Sequence, residues 1–335
     1  MGVEIVVESN IPFIHGVFEP YATVSYLPPE AITSGAMSRA DALVTRTRTR
    51  VDSALLGSSP CSIVASATIG LDHVDIPWCQ SHGIEVANAP GCNAPAVAQY
   101  VLSSILHLHP GSLAGCTLGV VGVGHVGSIV ARWGERLGMR VLLSDPPREE
   151  AEGSAGFTSL EQIAREADFI TFHTPLTSSG SCPTYHLCSD SFLSSLRRRP
   201  VIINSARGAV VDTDPLCRAL TSGSVSSAVI DCWEGEPAIS PRLLELATIA
   251  TPHIAGYSRE GKIRATRMAA EAVCRHFGFP LPEWSEPVAP GAADGVTPCS
   301  IISSYDPMVD TLRLKSNPAD FEKLRNTYNL RAEVV

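Results

Sequence analysis

The 335-residue chain predicts an α/β fold built on a doubly wound parallel sheet. Three observations carry that expectation. Leu118-Gly-Val-Val121 is a short apolar run suited to a strand buried on both faces, and glycines follow at 122, 124 and 127. Val126, Ile129, Val130, Trp133 and Leu137 then recur at helical spacing, and Gly138 stands where a left-handed cap would stop the helix. Apolar runs and helical stretches go on alternating after it, the pattern of parallel strands joined by helical crossovers.

Where a strand turns into a helix, each glycine has its own use. Gly122 permits the tight turn, Gly124 lets backbone approach a pyrophosphate, and Gly127 lets helix and strand pack closely. The helix N-terminus adds positive partial charge. A second apolar run, Val141-Leu-Leu-Ser144, ends in Asp145, 23 residues after Gly122 and near the spacing of a ribose-binding acid. Together these predict a dinucleotide site. Asp145 repels a 2′-phosphate and so favours NAD over NADP, while Arg148 nearby leaves that choice open.

Taken in order, residues 3–7, 42–45 and 62–65 read as strands of one sheet. Thr45-Arg-Thr-Arg-Thr-Arg50 concentrates positive charge in an acidic chain. It is either a solvated strand edge or a site for an anion, since arginine forks match carboxylate and phosphate. Ser66 to Asp75 is a loop of small residues whose amides suit an anion. The turn-rich crossing 88–96 leads into a long apolar helix, about 94–109, stopped by Pro110-Gly111. A helix begins at Ser159, with Thr158 and Glu161 spaced as a capping box, and the strand 169–173 follows. Further helices near 189–196 and 215–220 precede strands at 201–204 and 228–231. Thr174, Ala206, Asp231 and His253 all fall just past strand ends, where such sheets bind ligands. A last long helix, 259–277, stops at Gly278, and residues 280–298, with five prolines, read as a linker. The tail from Ser300 shows apolar alternation and then a charged helix, 318–331. It is too small to fold alone, which predicts packing on another subunit or on the main body.

Composition narrows the classes. With 44% hydrophobic residues the chain can bury a large core in two or three domains. A net charge of −9 and no long basic run argue against nucleic acid. No apolar run is long enough for a membrane helix, and the N-terminus opens on a strand rather than a signal peptide. Ten scattered cysteines include no Cys-x-x-Cys and no metal-type pairing with histidine. A cytoplasmic protein without a metal site is expected.

Arg207, Glu236 and His253 lie on loops after successive strands. Oxidising a 2-hydroxy acid needs a base for the hydroxyl proton, a cation for the carboxylate and a hydride acceptor held nearby. Histidine titrates near neutrality, a carboxylate can orient it, and arginine can grip the acid.

With the glycine motif, Asn204-Ser-Ala-Arg-Gly208, Trp233-Glu-Gly-Glu-Pro237 and Thr251-Pro-His-Ile-Ala-Gly256 resemble the D-isomer-specific 2-hydroxyacid dehydrogenases, and the resemblance spans nearly the whole chain. Residues 67–75, 89–94, Asp145-Pro-Pro-Arg148, 253–262 and 321–328 are similar to family members acting on a 4-phosphorylated acid in pyridoxal-phosphate biosynthesis. The resemblance implies that Arg207, Glu236 and His253 are catalytic, with His253 the proton donor or acceptor. It places Gly122, Gly124, His125, Val126, Gly127, Asp145, Thr174, Ala206, Asp231 and Gly256 at NAD. It assigns Arg46, Thr47, Thr68 and Tyr257 to a small phosphorylated 2-hydroxy acid. It further implies a Rossmann-like NAD domain over 93–256 and a discontinuous, flavodoxin-like substrate domain from 1–92 and 257–285. A linker and shortened C-terminal dimerisation segment would fill 286–335 and support a homodimer. Gln99 departs from the pattern, standing where the family would place a glutamate. The competing readings are a family member acting on 3-phosphoglycerate, glyoxylate or hydroxypyruvate, or a non-catalytic NAD-sensing corepressor.

Overall fold

Two parallel sheets hold the named strands of the computed structural model, which describes residues 2–284 and 296–334. Most of the proline-rich linker lies outside the described residues. One unit combines the chain up to Asn93 with the segment from Arg259; the other combines Ala94–Ser258 with the described residues after 295.

In the first unit the strands are β1 (Glu4–Glu8), β2 (Thr23–Leu27), β3 (Ala42–Thr45), β4 (Ile63–Ser66) and β5 (Glu85–Ala87). Their order is β2-β1-β3-β4-β5, with every pair parallel. The central strands are apolar on both faces because both are covered. Ile5, Val7, Val44 and Ala65 pack with Ala269, Val273 and Cys274 of the helix Arg259–Phe277. Val6, Leu43 and Val64 pack with Met37, Leu56 and Cys79 on the other face. The chain leaves β1 toward β2 on one side and reaches β3 on the other. The topological switch point, where such sheets take ligands, therefore lies beyond the ends of β1 and β3, at Glu8 and Thr45.

The second unit holds β6 (Thr117–Val121), β7 (Arg140–Ser144), β8 (Phe169–Phe172), β9 (Val201–Asn204), β10 (Ser227–Ile230) and β11 (Ile249–Ala250). Their order is β11-β10-β9-β8-β6-β7, again all parallel. Here the switch point falls between β6 and β8. Val120, Ile203 and Val229 face the helices Ala94–Leu108 and His125–Arg136; Phe172, Ile202 and Ile230 face the other layer. The first of these helices is buried from Ala94 through Leu106, which explains an apolar run with no polar face.

Several expectations need correction. Strands β2, β5 and β11 gave no clear apolar run: β2 and β5 are half-exposed edge strands and β11 has two residues. The helix Leu160–Glu166 is capped by Ser159, whose Oγ accepts from the Gln162 amide, not by Thr158. The tail's alternation is two helices, Pro298–Ser304 and Pro307–Ser316, each opened by a proline in its first turn. The charged helix is shorter than expected, Phe321–Asn326 after a 3-10 turn. The tail belongs to the second unit: Val296, Ile301 and Tyr305 join the core around the helix Ala94–Leu108, and Leu314 and Phe321 join the opposite layer.

Candidate active site

The glycine loop is made of backbone. Gly122 adopts φ +88°, and a Cβ there would stand 2.8 Å from the His173 carbonyl carbon. A Cβ at Gly127 would run into the Gly122 carbonyl, whereas at Gly124 it would meet nothing within 4 Å. Gly124 is also the N-cap of the helix His125–Arg136 and supplies no side-chain cap, so the first-turn amides are left for an anion. Asp145 accepts from the Val123 amide at 2.8 Å and from the Arg148 amide at 3.2 Å. Arg148 hydrogen-bonds Glu152 and the Val123 carbonyl. The Thr174 hydroxyl oxygen is buried without a hydrogen-bond partner. Open space at Gly124, uncapped amides and an orphaned hydroxyl fit a dinucleotide.

His253 and Glu236 form a close pair, with His253 Nδ1 2.8 Å from Glu236 Oε2. Glu236 Oε1 accepts from the Trp233 amide at 2.7 Å, which fixes the carboxylate within its own turn. His253 sits at φ +57°, an uncommon backbone for a side-chain-bearing residue. Asp231 holds that turn: its carboxylate accepts from the Thr251 hydroxyl at 2.6 Å and from the Ile254 and Ala255 amides at 2.8 and 3.0 Å. Burial works against charge on the His253 ring, yet the Cys232 sulfur and hydrogen-bonded Glu236 outweigh it. The ring's pKa stands well above the ordinary histidine value. Burial also pushes the Cys232 thiol up, so near neutral pH it is Glu236 that supports the imidazolium. Burial opposes the Glu236 charge too, but the His253 ring and the Trp233 amide keep its carboxyl below the usual range.

Arg207 is joined to that pair through its turn. Asn204, buried at the end of β9, donates to the Arg207, Gly208 and Cys232 carbonyls at 3.0–3.3 Å and accepts from the Ala206 amide. A Cβ at Gly208 would collide with the Trp233 carbonyl, so only glycine lets the Arg207 and Glu236 turns meet. Folding also brings the buried Cys232 thiol within 4.8 Å of the His253 and Glu236 ligand atoms, a grouping invisible as a sequence spacing. A second such group, His186 with Asp212 and Glu234, has its ring nitrogens facing the two carboxylates at 3.5 and 2.7 Å.

In the first unit the arginine-rich turn wraps a carboxylate that sequence reading missed. Glu8 Oε2 accepts from the Thr45 hydroxyl, the Arg46 amide and the Thr49 hydroxyl at 2.8, 2.9 and 3.0 Å. Arg46 Nε is buried without a partner, while Arg50 pairs with Asp52 at the surface. Thr47 is exposed, and Thr68 bonds the Ser66 hydroxyl at 2.7 Å and the Gly70 carbonyl at 3.1 Å.

Comparison with known proteins agrees with this geometry. Residues 98–255 match the D-isomer specific 2-hydroxyacid dehydrogenase, NAD binding domain. The chain is 46% identical to an erythronate-4-phosphate dehydrogenase of Bacteroides thetaiotaomicron, covering 98% of this chain and 97% of that protein. The chain belongs to the D-isomer-specific 2-hydroxyacid dehydrogenases, in their erythronate-4-phosphate dehydrogenase group. An Escherichia coli erythronate-4-phosphate dehydrogenase is 39% identical, covering 98% of this chain and 92% of that one. Among solved structures, a D-lactate dehydrogenase of Aquifex aeolicus complexed with NAD and lactic acid is similar at TM-score 0.66 and 25% identity. That match covers 82% of this chain and 96% of that one.

The dehydrogenase's tail is tied to the loop that carries His253. Arg331 is buried and donates to the carbonyls of Ala96, Ile254 and Ala255, and to Gln99 Oε1 at 3.1 Å. Gln99 Nε2 in turn donates to the Ser304 hydroxyl and the Ala332 carbonyl at 2.9 and 3.0 Å. A glutamate at 99 would lose both donors, which accounts for the amide there. Glu8 and Arg331 carried no local signal, because each acts on residues made adjacent only by folding.

Proposed function

We propose that the protein oxidises 4-phospho-D-erythronate to 2-oxo-3-hydroxy-4-phosphobutanoate with NAD, a step of pyridoxal 5′-phosphate biosynthesis, as a cytoplasmic homodimer. The single observation carrying this reading is the 2.8 Å His253–Glu236 pair at the carboxyl end of an NAD-binding sheet, in a chain matching such enzymes over nearly its whole length. Among the described residues no helix is long and apolar enough to cross a membrane, in keeping with this reading.

In this proposal His253 takes the proton of the 2-hydroxyl, and Glu236 stabilises the imidazolium that forms. Arg207 grips the substrate carboxylate and polarises the developing 2-oxo group. NAD, when bound, would supply the acceptor for the hydride of the substrate's C2. Gly122, Gly124, His125, Val126, Gly127, Asp145, Thr174, Ala206, Asp231 and Gly256 line the cofactor in this reading. Arg46, Thr47, Thr68 and Tyr257 bind the substrate. Asp231 would serve the cofactor site chiefly by shaping the His253 loop, since its carboxylate is occupied there.

The test compares 4-phosphoerythronate with erythronate, and both with 3-phosphoglycerate, glyoxylate and hydroxypyruvate. Each lost charge-assisted contact to a phosphate is worth about 1.5–3 kcal/mol, so two predict a preference of roughly 100-fold or more for the phosphorylated acid. Equal efficiency on erythronate and its phosphate would overturn the substrate assignment, and no turnover of any acid would overturn the catalytic one.

A further inference from the structure

The tail that follows the linker reaches the residues next to His253. Ser258 and Arg331 pair as an isolated parallel bridge, and Arg331 holds the carbonyls of Ile254 and Ala255. Those bonds set the register of what precedes them. The Tyr328 ring stands edge-on to Tyr257 with centroids 6.1 Å apart. Three residues earlier, at the end of the helix Phe321–Asn326, Arg325 hydrogen-bonds Tyr257 and lies close enough to Glu236 for the two charges to act on each other. Its guanidinium has one further anion, Glu322 at 3.5 Å, and the side chain is 24% exposed, so it is neither locked in a buried pair nor free in solvent.

We propose that Arg325 is a specificity-determining residue of the substrate site, holding the Tyr257 hydroxyl and adding positive charge where the phosphorylated acid binds. The inference rests on the reading of Tyr257 as a substrate residue. It gives the tail a role at the site beyond packing, since a guanidinium can keep Tyr257 and still offer donors to phosphate oxygens. It also answers an electrostatic need: Glu236 and Glu322 are the anions that act on Arg325, and in a chain of net charge −9 an acid carrying both a carboxylate and a phosphate needs a local cation.

The experiment uses the full-length protein and its Arg325→Gln and Arg325→Lys variants. The efficiencies, as kcat/KM, on 4-phosphoerythronate and erythronate are measured for each, with NAD affinity and melting temperature alongside. Arg325→Gln should shrink the ratio of the two efficiencies on the order of 10- to 100-fold, chiefly through KM for the phosphorylated acid. Arg325→Lys, which keeps the charge but not the fork, should retain a larger share of the ratio. An unchanged ratio in a folded Arg325→Gln protein, or equal losses on both acids, would overturn the inference and leave the proposed reaction standing. A native protein indifferent to the phosphate would overturn the proposed substrate, and this inference with it.

Discussion

The two switch points of this molecule are built from opposite materials. Between β6 and β8 the loop is bare backbone, with glycines at 122, 124 and 127 and an uncapped helix end. Between β1 and β3 the turn is organised by a side chain: two threonine hydroxyls and the Arg46 backbone amide donate to the buried Glu8 carboxylate. A backbone site fails when an atom is added, because nothing in it can step aside. A side-chain site fails when a hydrogen bond is removed. The His253 loop uses both devices: its side chain pairs with Glu236, but from a left-handed backbone that Asp231 pins.

The largest expected effect separates the proton chemistry from the glycine loop. His253→Ala should lower turnover by roughly 100- to 10,000-fold while NAD still binds, as steady-state kinetics and equilibrium binding would report. Loss of NAD affinity in step with turnover would break the distinction between the two regions.

The pH dependence follows from the raised His253 pKa. Below that pKa the ring already carries a proton and cannot accept another, so oxidation should fall by up to about tenfold per pH unit on acidification. Reduction needs the proton and should fall instead as pH rises above the same value. In Glu236→Gln burial acts without its opposing carboxylate, and the oxidation profile should move to lower pH. A profile that stays in place would show that Glu236 does not set the ring's affinity for the proton.

Gly127→Ala tests the backbone site directly. One methyl pressed on the Gly122 carbonyl should cost about 1–3 kcal/mol and weaken NAD on the order of 10- to 100-fold, measured by calorimetric titration. Unaltered NAD affinity would mean that the loop can yield after all.

The contrast also explains which parts were legible in the sequence. A backbone site must announce itself, because Gly122 and Gly127 cannot be exchanged for other residues without steric cost, and neighbouring residues carry the whole pattern. His253, Glu236 and Arg207 stood out as candidates for a related reason, each lying in a short turn after an apolar strand. Glu8 bonds residues 37 to 41 positions away, and Arg331 bonds Gln99 across 232. No local pattern distinguishes such residues from solvated charges. Strands β2 and β5 were missed because half-exposed edge strands lack the continuous apolar run that marks β4 or β9. The tail helices were missed because each spans only two or three turns, too few for a 3.6-residue period to stand clear of alternation.

The smallest expected effect tests the side-chain site. Replacing Glu8 itself would change two things at once, loosening the turn while removing a negative charge beside Arg46, and these act in opposite directions on an anion. Thr49→Val avoids that conflict: it keeps the shape of a buried residue and removes one hydroxyl from the carboxylate. A hydrogen bond to a charged acceptor is worth about 1.5–3 kcal/mol, and part of that loss can be recovered by small shifts of the other two donors. A few degrees of melting temperature and a roughly threefold to tenfold rise in KM for the acid are therefore expected. NAD affinity should not move, because the glycine loop makes no use of this carboxylate. An NAD affinity that changes as much as KM would mean that the two switch points are energetically coupled, and that their different construction does not make them independent sites.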